Sequence, residues 1–165
     1  MRLLRTLPSP RRTRVRWSDR VPFLELVEPR LLLASFTVTS AADAGAGTLW
    51  QVIEQLDLLK DPANTVSFDI GNGPQIISLQ SSLPPITVPV FIDGTSQPGY
   101  SGSPLIQIDG HTFGVQRDGL TVSPGSDGSM IRGLDIYGFK AGSGIDVQSN
   151  SNVIQDNYLG ADSRG

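Results

Sequence analysis

Short runs in which every second residue is apolar recur from Phe36 onward, and they constrain the fold more than any other feature. Side chains of a β-strand point alternately to its two faces, so such runs predict strands with one buried face. Glycine, proline or Asp-Gly follows each run, which predicts a turn after each strand. The chain therefore predicts many short strands. Their alternating apolar residues are Val66, Phe68 and Ile70, then Ile77 and Leu79, then Ile86, Val88, Val90 and Ile92, then Ile106 and Ile108.

The second half of the chain contains an internal repeat. Residues 119–122 (Gly-Leu-Thr-Val) correspond to residues 144–147 (Gly-Ile-Asp-Val), 25 positions later, and residues 131–136 align with residues 154–159, 23 positions later. A period near two dozen residues is typical of stacked structural repeats. No helical pattern lies between these strands, which disfavours leucine-rich and βαβ architectures. We therefore expect parallel strands that stack on one another.

One segment predicts a helix. Thr48 and Gln51 have the spacing of a capping box, and Asp61-Pro62 ends the helical pattern after Lys60. The apolar residues that fall on one face are Leu49, Val52, Ile53, Leu56 and Leu59. We expect this face to cover the open end of the stacked strands, because the first repeat of such a domain needs a cap.

Charge divides the chain into a basic leader and an acidic body. Residues 1–30 carry eight arginines and three acidic residues, a net charge of +5, whereas the remainder carries five basic and thirteen acidic residues, a net charge of −8. Binding to nucleic acid requires a clustered Lys/Arg surface, which the acidic body lacks. The absence of cysteine excludes disulfides, cysteine-based zinc sites and thiol catalysis.

The leader contains a short motif. Its longest apolar run, residues 31–34, is too short for the apolar region of a secretory signal or for a transmembrane helix. The segment around it resembles the Glu-Pro-Arg-x-Leu-Leu motif near the N-terminus of very large surface proteins of planctomycetes and some other bacteria. The resemblance implies a sorting or processing region. The residues that match the motif are Glu28, Pro29, Arg30, Leu32 and Leu33.

Most of the body also resembles a known family. Residues 39–51, 83–87, 92–100 and 157–162 are similar, in this order, to the N-terminal region of bacterial right-handed parallel β-helix repeat proteins. The resemblance implies an all-β fold, a right-handed parallel β-helix (solenoid) with an N-terminal amphipathic capping helix. It divides the chain into a leader, residues 1–35, which we expect to be disordered, and a β-helix domain, residues 36–165. Such domains usually begin longer surface or adhesin-like proteins, so we expect a domain truncated at its C-terminal end.

The residues that could do chemistry are few. His111 is the only histidine and follows Asp109-Gly110, so we expect it in a surface turn. Asp135, Asp146, Asp156 and Asp162 lie near predicted strand ends, where neighbouring repeats could bring carboxylates together. We assign no catalytic residue, no metal ligand and no cofactor, although calcium would suit such carboxylates if six to eight oxygens converged.

These observations favour a non-catalytic extracellular or cell-surface module, adhesive or structural, over an enzyme. The alternative is a carbohydrate-active β-helix enzyme, either a polysaccharide lyase or a hydrolase, which would require several carboxylates or bases in one groove. Carbohydrate or other surface proteins are the expected partners, with no nucleic acid and no transmembrane segment. Residues 152–159 should form an exposed edge that allows end-to-end self-association. Asn150, Asn152 and Asn157 should bind backbone groups at turns.

Overall fold

A computed structural model describes residues 34–59, 64–112 and 117–160. The predicted leader, with the motif residues Glu28, Pro29, Arg30, Leu32 and Leu33, lies outside the described residues except for its last two positions. Ala34 and Ser35 belong to the first strand rather than to a separate leader.

The described residues contain eleven short strands and one α-helix, in the order β1, α1 and β2–β11. The helix α1 spans Leu49–Leu59. The strands are β1 (Ala34–Val38), β2 (Asn64–Phe68), β3 (Gln75–Ser78), β4 (Val90–Asp93), β5 (Ile106–Asp109), β6 (Leu120–Val122), β7 (Met130–Arg132), β8 (Leu134–Tyr137), β9 (Ile145–Val147), β10 (Val153–Gln155) and β11 (Tyr158–Leu159).

The strands form three parallel sheets. A five-stranded sheet has the order β1-β2-β4-β7-β10, a four-stranded sheet the order β11-β8-β5-β3, and β6 pairs with β9 alone. In the second half, the register matches the sequence repeat: Leu120 lies opposite Ile145 and Ile131 opposite Ile154. The helix α1 separates the partners β1 and β2, and strands of other sheets separate all the other partners. From β2 onward, the chain therefore moves between sheets before it returns to add a parallel neighbour.

The predicted fold class, an all-β β-helix solenoid, is wrong. The described residues form a mixed α/β structure, and α1 contributes Leu49, Val52, Ile53 and Leu56 to the same core as the strands. The three sheets contain five, four and two strands and keep open edges, so they do not close into a solenoid. Ile86, predicted within a strand, forms only an isolated bridge with Val122. Local alternation reports which side of a strand is buried, but it does not report how sheets close.

The helix lies where the apolar spacing and the capping signal predict it. The Gln51 backbone N–H donates to Thr48 Oγ1 at 3.3 Å, and Gln51 Oε1 accepts a bond from Gly47 N at 2.8 Å. The second bond differs from a capping box in its donor, which would be the N–H of Thr48 itself. Leu59, predicted on the apolar face, is 57% exposed. The buried face therefore ends one turn earlier than the pattern suggests.

The core consists of apolar side chains aligned across the parallel strands. In the five-stranded sheet, Ile92 lies opposite Val66 on one side and Ile131 on the other. In the four-stranded sheet, Ile108 lies between Ile77 and Ile136. All of these side chains are buried, as their alternation predicts. Each contributes roughly 1.5–3 kcal/mol of burial free energy before the entropy of ordering is subtracted.

The segment after β4 ties the ends of two strands together. A 3₁₀ turn at Gly94–Ser96 follows β4, and Ser96 Oγ accepts a hydrogen bond from Phe68 N at 2.7 Å. The buried Gln97 amide accepts from Ile70 N at 3.0 Å and donates to Gly71 O at 2.9 Å. Side-chain groups thereby satisfy backbone groups that the ladder no longer pairs.

Candidate functional site

The aspartates proposed as a possible carboxylate cluster lie in different surroundings. Asp135 is buried in β8, in register with Gln107 of β5 and Tyr158 of β11. Asp146 belongs to the two-stranded sheet and accepts a bond from Gln148 Nε2 at 2.6 Å. Asp156 has a φ of 55° between β10 and β11, and Asp162 lies outside the described residues. Across residues 34–59, 64–112 and 117–160, no group of three or more acidic or histidine side chains could hold a metal ion.

Other aspartates bind the backbone of turns distant in sequence. Asp43 Oδ1 accepts from Gln80 N at 2.8 Å and from Ser81 N at 3.1 Å. Similar bonds run from Thr87 N to Asp57, from Ser143 N to Asp118 and from Asn150 N to Asp127, at 3.1, 2.7 and 2.6 Å. These carboxylates act as structural braces, because each satisfies a backbone donor that would otherwise lack a protein partner.

An ion pair joins β4 to β7. Arg132 donates from Nε to Asp93 Oδ1 and from Nη2 to Asp93 Oδ2, both at 2.9 Å, and its guanidinium lies 5.0 Å from the centre of the Phe91 ring. Burial of Asp93 opposes ionisation, but hydrogen bonds from Arg132 and Thr95 outweigh it, so the pKa of Asp93 lies below its ordinary value. The ion pair braces the two strands, and both oxygens of Asp93 are already bonded to Arg132.

A cleft of about 490 Å³ lies where three adjacent parallel strands end. His111 follows β5, residues 138–140 follow β8, and Gly160 follows β11. Among the described residues, two basic residues, three apolar or aromatic residues and four glycines line it. The lining residues are His111 and Lys140, then Ile136, Tyr137 and Phe139, then Gly138, Gly142, Gly144 and Gly160. Its volume lies within the range of small-molecule sites, roughly 300–1,000 Å³.

The imidazole of His111 is held in place at the edge of this cleft. Its Nδ1 lies 2.7 Å from Asp109 Oδ1, and its backbone N–H donates to the same oxygen at 2.8 Å. The ring lies 5.6 Å from the ring of Tyr137, whose hydroxyl donates to Gln107 Oε1 at 3.2 Å. Because Asp109 occupies Nδ1, Nε2 is the ring nitrogen that can meet a ligand. The prediction of an exposed turn histidine is confirmed, since 54% of its side chain is accessible.

Glycines allow close packing around His111 and Phe139. A Cβ atom at Gly110 or Gly119 would come within about 3 Å of the Phe139 ring, so these glycines allow the ring to pack closely on the backbone. Gly138 has a φ of 85°, and a Cβ there would lie 2.7 Å from His111 N and Nδ1. The aromatic wall and the imidazole are therefore positioned before any ligand arrives.

The sequence did not predict this cleft, because His111 was expected alone in a surface turn and nothing linked it to Phe139 or Lys140. The signal that could have indicated the cleft is the sequence Gly-Phe-Lys at 138–140. It directly follows β8, which pairs with β5, the strand that precedes His111. Recognising it required the register that places Asp109 opposite Tyr137.

Comparisons with known proteins leave the chain without an assigned family. No protein-family model matches the sequence. No curated protein matches it either. Among the described residues, no helix has the length and hydropathy of a membrane span.

Proposed function

We propose that this chain is a non-catalytic module of the bacterial cell surface, with an adhesive or structural role. The observation that carries the proposal is that several aspartate carboxylates hold turns together by bonding to the backbone. Asp43, Asp57, Asp118 and Asp127 each accept a hydrogen bond from a backbone N–H that lies more than 20 residues away. Glycoside hydrolysis usually needs two carboxylates placed at the substrate, whereas these carboxylates bind the backbone and hold the fold.

The surface location rests on the leader. Its basic charge and its resemblance to a bacterial sorting motif at Glu28, Pro29, Arg30, Leu32 and Leu33 support export to the cell surface. The absence of cysteine is compatible with that location, because the strands are held by backbone ladders and by an apolar core rather than by disulfides.

A carbohydrate-active enzyme is the second candidate, and one observation favours it. His111 and Asp109 form a hydrogen-bonded pair at the edge of a cleft of ligand size. A histidine held in this way could accept a proton from a bound sugar. It would need a second group to protonate the leaving oxygen, and Lys140 is the other basic side chain that lines the cleft.

The test uses the full chain in the bacterium that carries the gene. Protease added to intact cells should degrade the chain while a cytoplasmic control protein stays protected, and equal protection of both would refute the surface location. Purified full chain should release no reducing ends and no unsaturated products from a panel of neutral and acidic polysaccharides. Cleavage that is lost in the His111→Gln variant would instead establish the enzyme.

A further inference from the structure

We propose that the cleft between His111 and Lys140 binds a single acidic sugar residue, such as a hexuronic acid at the end of a glycan. This inference deepens the adhesive role and rests on it. It starts from the cleft lining, in which two basic side chains stand beside aromatic and apolar groups.

The charge of the lining differs from that of the surrounding protein. The body carries a net charge of −8, yet the described residues that line the cleft include His111 and Lys140 and no acidic residue. Asp109 and Asp118 lie next to the lining residues Gly138 and Gly142, but both are engaged, the first with His111 and the second with Ser143 N. A ligand that enters the cleft therefore meets the Lys140 ammonium group, which attracts a carboxylate.

His111 adds a position for a hydroxyl group. Its Nδ1 lies 2.7 Å from Asp109 Oδ1, which leaves Nε2 as the ring nitrogen available to a ligand. A sugar hydroxyl can either donate to Nε2 or accept from it, so it can bond to either form of the ring. A ligand that carries a hydroxyl group and an anion on one small framework can therefore bond to both His111 and Lys140.

Phe139 and Tyr137 supply the third requirement. Both residues line the cleft, but only Phe139 is partly exposed, and it packs against Gly110 and Gly119. Tyr137 is 4% exposed and is anchored to Gln107, so it supports the wall from within. Sugar rings have an apolar C–H face that packs on aromatic carbon, so a rigid aromatic wall favours a ring-shaped polar ligand over an extended one. A uronic acid combines this face with hydroxyl groups and one carboxylate.

The binding experiment compares two probes that differ only at the sixth carbon. Methyl glucuronide and methyl glucoside are titrated into the full chain and followed by ligand-observed NMR. Because only the glucuronide can form a charge-assisted hydrogen bond with Lys140, it should bind at least about tenfold more tightly than the glucoside. Acetate at the same concentration should not displace it.

Variants at an exposed position provide the controls. Lys140→Gln should reduce the preference for the glucuronide to about one, while Lys140→Arg should keep most of it because the charge remains. Circular dichroism of both variants should match that of the parent chain. Equal affinity for the two sugars, an unchanged preference in Lys140→Gln, displacement by acetate, or no binding of either sugar would each overturn the inference. None of these results bears on surface exposure in intact cells, so the two proposals fail separately.

Discussion

Two adjacent isoleucines of β3 offer a matched test of which side of the four-stranded sheet is buried. Ile77 is 0% exposed and lies opposite Ile108, whereas its neighbour Ile76 is 45% exposed. Replacing isoleucine by alanine removes three carbon atoms. At about 0.8 kcal/mol for each buried carbon, Ile77→Ala loses about 2.5 kcal/mol of transfer free energy, and the cavity it leaves raises the total to about 3–4 kcal/mol.

The same substitution at Ile76 should cost much less. Its side chain is nearly half solvated already, and water fills the space that the substitution opens, so the expected loss is about 1 kcal/mol or less. Equilibrium urea unfolding of the full chain and of both variants, followed by circular dichroism, measures the difference. Equal losses, or a larger loss for Ile76→Ala, would refute the assigned register and the location of the core.

Three further outcomes are expected. Arg132→Met should flatten the loss of stability below about pH 5. The pKa of Asp93 lies below the unfolded value of about 3.9, so its contribution is present above that value and is lost as the pH falls through the folded pKa. Urea midpoints from about pH 6 to about pH 2 check this, and parallel curves for the two chains would contradict it. Asn157→Ala should lower the free energy of unfolding by about 1–3 kcal/mol, because Leu134 N and Ile131 O lose their partners at 3.0 and 2.9 Å. Asn150→Ala should cost under about 0.5 kcal/mol, since its side chain makes one exposed bond of 3.4 Å. Urea unfolding compares the two variants, and similar costs would count against the bracing role of Asn157. The full chain should self-associate as its concentration rises, through the exposed end that includes the 53% exposed Leu159, and Leu159→Lys should suppress the association. Light scattering measures the association, and a monomer at all concentrations would contradict the prediction.

Much of the local structure could be predicted from the sequence. The alternating residues Ile92 and Ile108 are buried because the side-chain period of a strand is two, whatever sheet it joins. The capping signal at Thr48 marks the start of α1, because the first N–H groups of any helix need an acceptor. The 25-residue alignment of Leu120 with Ile145 became the register of β6 with β9.

The fold class and the candidate site depended on contacts between distant parts of the chain. The number of strands in each sheet and the elements that pack against the sheets decide whether the sheets close. In this chain, the helix α1 shares the core with the strands, and the sheets stay open, with five, four and two strands. The cleft exists because parallel pairing brings the ends of β5, β8 and β11 together, so that His111, Phe139 and Gly160 share one wall. The sequence by itself determined which side chains leave water, since that preference is a property of each residue and its neighbours. Only the tertiary structure decided which distant polar groups meet, such as Asp43 with Gln80 and Asp93 with Arg132, because such a meeting requires segments more than 20 residues apart to return to the same place.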